Sequence, residues 1–159
     1  MRYRPTTREV KILVKNLTSP LGPAVSHDGS FLLYSETGPR TIFKYWITGN
    51  GSGTTEPLLV LPDTPYKIKR ASVPGEFWVA ANNITRVNQT RFVAPVGYKF
   101  DSNGKVLIKK DLRPQYQNAI VNAIQEYGNP DDNGVDNRVL YVGSRSVDFV
   151  GVYRTPGVN

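Results

Sequence analysis

Two turns of one design recur far apart in this chain, each opening into an apolar strand, and this recurrence constrains the fold more than any other feature. Asp28-Gly29-Ser30 leads into Phe31-Leu32-Leu33, and Pro74-Gly75-Glu76 leads into Phe77-Trp78-Val79. Phe31 and Phe77 stand 46 positions apart. A third copy begins near Arg138-Val139-Leu140-Tyr141, delayed by a polar insert at 128–137. Further short runs of alternating or apolar residues surround each copy, at 11–15, 41–47, 57–61, 96–101, 105–112 and 149–153. Alternation closed by Gly, Pro, Asn or Asp is the signal of a strand. A period of ~40–50 residues carrying about four strands predicts the blades of a β-propeller.

The segment 118–126 is the one stretch compatible with a helix, and its apolar spacing equally fits a buried strand; a strand is the expectation. The predicted fold is therefore all-β. With 159 residues the chain accommodates two complete blades and parts of two others, whereas propellers close with typically 4–8. It reads as part of a longer propeller, with an independent β-sandwich as the alternative.

Composition narrows the chemistry. Cysteine is absent, and His27 is the single histidine, so neither a thiolate nor a multi-histidine metal site can be built from this chain. The formal charge is +7. The densest basic groups are only Lys67-Lys69-Arg70 and Lys109-Lys110, which predicts a solvated basic surface and no nucleic-acid partner. Apolar stretches such as Leu58-Leu59-Val60-Leu61 fall far short of the ~18–20 residues of a membrane span. No apolar segment follows Met1-Arg2-Tyr3-Arg4-Pro5 to make it a signal peptide. Asn-x-Ser/Thr sequons at Asn16, Asn50, Asn83 and Asn88 suggest passage through the secretory pathway.

Three stretches carry a more specific likeness: 24–31 (Ala-Val-Ser-His-Asp-Gly-Ser-Phe), Lys44-Tyr45-Trp46, and Ile68-Lys69-Arg70 with Gly75-Glu76-Phe77-Trp78-Val79. Later, Gly97-Tyr98-Lys99-Phe100-Asp101, Ile124-Gln125-Glu126 and Leu140-Tyr141-Val142-Gly143-Ser144 keep the same order and approximate spacing. Over nearly all of residues 1–159 the chain resembles the plant strictosidine synthase family. The resemblance implies a six-bladed β-propeller of which this chain is roughly the C-terminal half. The N-terminal half and its signal peptide would lie outside it, and the destination would be the vacuole or secretion.

The resemblance also implies a chemistry: condensation of tryptamine with the aldehyde secologanin, with no metal or organic cofactor. The essential group is a glutamate that moves protons, two residues before the Ile-Gln-Glu stretch. In this chain that position is Asn122. An amide does not accept and return a proton near neutral pH, so no catalytic residue is assigned. Glu126, four residues on, is expected on the same face of the strand but some 13 Å away. A Met-His pair near the family's amine site corresponds to Gln89-Thr90, and a Leu-Phe pair to Arg145-Ser146. Gln89, Thr90, Asn122, Arg145 and Ser146 are thus the expected pocket residues, and their polarity disfavours an indole and favours another small-molecule ligand. Two alternatives stand beside this reading. One is a calcium-dependent esterase or lactonase, for which Asn82, Asn83 and Asp101 are the candidate oxygen ligands. The other is a propeller that binds without catalysis.

Overall fold

The structure is a computed structural model and describes residues 1–128 and 137–154. The interior of the polar insert at 128–137 lies outside the described residues. Among the described residues, thirteen strands and one short helix follow in chain order. A hairpin, β1 (Arg2–Arg4) with β2 (Glu9–Lys11), comes first. Two four-stranded antiparallel meanders come next, β3 (Pro20–Val25) to β6 (Thr55–Val60) through β4 (Phe31–Glu36) and β5 (Thr41–Trp46), then β7 (Thr64–Arg70) to β10 (Val106–Asp111) through β8 (Glu76–Val87) and β9 (Thr90–Asp101). The one-turn helix α1 (Arg113–Tyr116) leads to a three-stranded meander of β11 (Val121–Tyr127), β12 (Val139–Ser144) and β13 (Val150–Arg154). These are two complete blades flanked by two smaller sheets, as the 46-residue recurrence predicts.

The first strand of each larger sheet is the innermost. β3 packs on β7 and β7 on β11, while the last strands β6 and β10 are largely exposed. The middle blade shows why the sheets stack. Alternate side chains on β8 point to opposite faces, and here both faces are covered. Phe77, Val79 and Ala81 enter a core shared with Phe31, Leu33 and Ile42 of the first blade. Trp78 and Ala80 enter another, shared with Val121, Ile124 and Val142 of the third. Phe31 and Phe77 lie 6.0 Å apart across the first junction. The recurring phenylalanines are therefore the interlock between blades. Lys44 crosses the same junction, donating to the carbonyl of Ser102 at 2.7 Å with its ammonium 4.8 Å from the Phe31 ring. Trp78 is buried in one blade junction and Trp46 packs partly buried against the other, whereas buried Tyr45 belongs to neither junction core.

Parts of the chain depart from expectation. The alternating stretch 11–15 contributes only Lys11 to a strand; Leu13, Val14 and Leu17 instead lie against Leu32 and Tyr34, covering the outer face of the first blade. The innermost strands β3 and β7 escaped the pattern because Pro20, Gly22 and Pro23, and the run Lys67-Ile68-Lys69-Arg70, look like turn and surface sequence. The hairpin of β8 and β9 continues to Val87 and Thr90, well past the apolar opening at Phe77-Trp78-Val79 and the expected run at 96–101.

Candidate ligand site at the hub

The ladder of each innermost strand is interrupted near its start. The register shifts between Leu21 and Ala24 in β3, between Pro65 and Ile68 in β7, and between Val121 and Ala123 in β11. A bulge leaves backbone groups unpaired and re-aims the extra side chain, and those groups need other partners. Buried Ser35 lies between two such strands, its hydroxyl donating to the carbonyl of Tyr66 at 2.6 Å with that of Leu21 at 3.2 Å. Asn82, fully buried, clamps the third strand through both halves of its amide. Its Nδ2 donates to Val121 O at 2.9 Å and its Oδ1 accepts from Val121 N at 3.0 Å.

Together the three bulges open a hollow of about 450 Å³ whose lining includes Leu21, Tyr66, Lys67, Asn122, Ser144 and Arg145. Gly22 permits this geometry. Its φ is +45°, and a Cβ there would stand 2.4 Å from Lys67 Cα, so β3 and β7 meet backbone to backbone beside the hollow. Asn122 is half-buried, and its Oδ1 accepts from the backbone N–H of Arg145 at 2.8 Å. The loop after β12 is pinned again by Ser144, whose hydroxyl donates to Ile120 O at 2.7 Å and accepts from Ser146 N at 2.9 Å.

The bulge also overturns one expectation. Val121 and Ile124 occupy the same core although three residues apart, an offset an unbroken strand does not allow. Asn122 therefore faces the hub, and Glu126 faces the junction with the middle blade rather than sharing its face. Glu126 is buried there and accepts from Trp78 Nε1 at 3.0 Å. It sits 3.4 Å from Lys99 Nζ, which also pairs with Glu76 at 2.7 Å, and 3.5 Å from Arg138. This is an inter-blade ion cluster, and no reading of the sequence singled it out.

Of the five expected pocket residues, the hollow is lined by Asn122 and Arg145, with Ser146 immediately beyond. Gln89 and Thr90 lie elsewhere. They are exposed at the tip of the β8–β9 hairpin, with Asn88 and Gln89 both at positive φ in the two-residue turn. Five residues separate Asn82 from Val87 on that arm, roughly 17 Å along a strand. The calcium candidates are not gathered either. Asn82 is committed to Val121, exposed Asn83 borders a different hollow with Asp63, Lys109 and Asp111, and Asp101 Oδ1 holds the N–H groups of Asn103 and Lys105. In that second hollow the buried Asp63 accepts from Tyr98 at 2.5 Å. Burial first, then this carboxylate, pushes the Tyr98 phenol well above its ordinary range. All four sequon asparagines are exposed.

Residues 1–50 match the family model described as strictosidine synthase. Across 96% of its length the chain is 36% identical to a strictosidine synthase from Catharanthus roseus, and 32% and 31% identical to the strictosidine synthase-like proteins 12 and 11 of Arabidopsis thaliana. It spans only 40–43% of those relatives. Among solved structures it resembles a luciferin-regenerating enzyme of propeller type, with a TM-score of 0.59, 20% identity, and coverage of 96% of this chain and 52% of the other. That likeness supports the fold alone. Extending over both complete blades and the bulged hub strands, the sequence match establishes that this chain belongs to the strictosidine synthase family.

Proposed function

We propose that this chain forms part of a strictosidine synthase-like propeller that holds a small molecule at its hub and does not catalyse the amine–aldehyde condensation. The observation that carries the reading is the place of Asn122. It sits on the bulge of an innermost strand, lines the hub hollow, and is tied through Oδ1 to the Arg145 backbone. This is the position where the family resemblance expects the proton-moving glutamate. An amide offers a hydrogen-bond donor and acceptor there but no transferable proton. The neighbouring carboxylate, Glu126, is engaged with Trp78 and Lys99 in the blade junction and faces away from the hollow.

Incubation with tryptamine and secologanin, followed by product analysis, tests this reading. The expected result is no condensation product from the natural sequence. Asn122→Glu is expected to be necessary for any activity and insufficient on its own, because Arg145 and Lys67 remain at the hollow. Robust turnover by the natural sequence would overturn the proposal. The calcium-hydrolase alternative draws no support from the positions of Asn82, Asn83 and Asp101. The exposed sequons and the family resemblance support maturation in the secretory pathway, with the vacuole or secretion as destination.

A further inference from the structure

The three hub strands are poor in acidic residues. β3, β7 and β11 contain one acidic residue between them, Glu126, and that carboxylate is buried in the blade junction. On β7 the exposed Lys67 lines the hollow. The loop after β12 adds Arg145 to the same hollow as Lys67. Among the described residues, neither Lys67 nor Arg145 is within salt-bridge distance of a carboxylate, although four other basic residues are. Asn122 spends its Oδ1 on the Arg145 N–H, which leaves its two Nδ2 protons with no described acceptor. Tyr66, Lys67 and Arg145 line the same hollow.

These groups are held by their backbones. Lys67 projects from the point where β3 and β7 meet at Gly22. Arg145 follows a serine whose hydroxyl is bonded on both sides. A concave surface that converges fixed N–H donors and two cations, with no acid in its lining, is built to receive oxygens carrying negative charge.

From this we infer that the hub hollow binds an organic anion, a small molecule presenting a carboxylate to Lys67, Arg145 and the Asn122 Nδ2 group. The inference rests on the proposal that the hub is the ligand site and adds the charge of the ligand to it. Amine ligands would meet two like charges.

A matched pair of probes separates the charge of the ligand from the existence of the site: phenylacetate and 2-phenylethylamine share a ring system and carry opposite charges. Each is titrated calorimetrically into the 159-residue chain at low and at high salt. Phenylacetate is expected to bind at least about tenfold more tightly, and its affinity should fall as salt rises. The double variant Lys67→Glu/Arg145→Glu is expected to lose about tenfold or more of that affinity, and Lys67→Ala to lose less. Both positions are exposed, so an unchanged circular dichroism spectrum and melting curve should accompany the loss. Equal affinity for the two probes, a preference for 2-phenylethylamine, or indifference to the charge reversal would overturn the anion inference and leave the hub as a binding surface. Binding of neither probe at low salt would overturn the hub reading as well.

Discussion

Four residues separate Asn122 from Glu126, and the bulge between Val121 and Ala123 gives them unrelated surroundings. Asn122 meets the hub; Glu126 meets Lys99, Arg138 and Trp78 in a junction where water is scarce. A buried charge that loses its partner is costly, roughly 3–5 kcal/mol. Glu126→Gln should lie toward the lower end of that range, because Glu76 stays 2.7 Å from Lys99 and the new amide oxygen can still accept from Trp78. Chemical denaturation should therefore show a clear drop in midpoint, and an unchanged midpoint would mean that Glu126 does not stabilise the junction. The same reasoning ranks Asn82 highly. Asn82→Ala leaves the Val121 N–H and C=O buried without partners, an expected loss of roughly 2–3 kcal/mol by the same measurement.

At the level of the element, the innermost strands are shaped by close approach and by turns. Gly22 carries two demands at once, a positive φ and the proximity of Lys67 Cα. Gly22→Ala should cost roughly 2–4 kcal/mol from the left-handed backbone and overpacking combined, and it should disturb the hollow along with the stability. Next along the chain, the turn into β4 is organised by Asp28. Its Oδ1 accepts from Ser26 Oγ at 2.7 Å and from Ser30 N and Oγ at 3.0 and 2.7 Å. These bonds, the Ser26 hydroxyl foremost, hold the carboxyl down from 3.8 to about 2. A carboxyl whose pKa is lowered by folding contributes stability that is present above pH 3.8 and is lost as the pH falls toward about 2. Thermal melts between those limits should decline less steeply for Asp28→Asn than for the natural sequence. Parallel slopes would mean that the turn contributes nothing to acid stability.

At the scale of the whole molecule, the described residues leave one face of the third blade largely exposed. On the third blade, Tyr127, Tyr141, Val150 and Val152 are all substantially exposed. They share one side of the sheet, since Tyr141 pairs with Val152 and Gly143 with Val150. An exposed apolar patch on a sheet favours association. As a 159-residue polypeptide the protein should self-associate with rising concentration, and Tyr141→Lys/Val152→Lys should suppress this; light scattering that reports a monomer at all concentrations would refute the expectation. Glycans bear on a different surface. Asn83 and Asn88 sit on the long β8–β9 arm, close enough that efficient modification of one should hinder the other. A gel shift on endoglycosidase treatment after expression in plant cells is expected, and unchanged mobility would count against secretory processing.

The sequence by itself determined the fold class and the blade count, because a blade junction needs the same apolar residues each time and Phe31 and Phe77 repeat that need at a fixed interval. It also pointed to Asn122 and Arg145, through motifs that keep their local order, and both line the hub hollow. What it left hidden lies in the hub strands. β3 and β7 have sequences written by bulges, close approach and an open cavity, so neither shows the period-two alternation of a half-buried strand. Only the tertiary structure turned Glu126 away from Asn122, because one bulge residue inverts every side chain after it. Only the tertiary structure, likewise, assigned Asn82 to Val121 and sent Gln89 and Thr90 to a hairpin tip. Those outcomes depend on which strand meets which across the hub, and that is a matter of three-dimensional contact between segments as distant in sequence as Ser35 and Tyr66, or Asn82 and Val121.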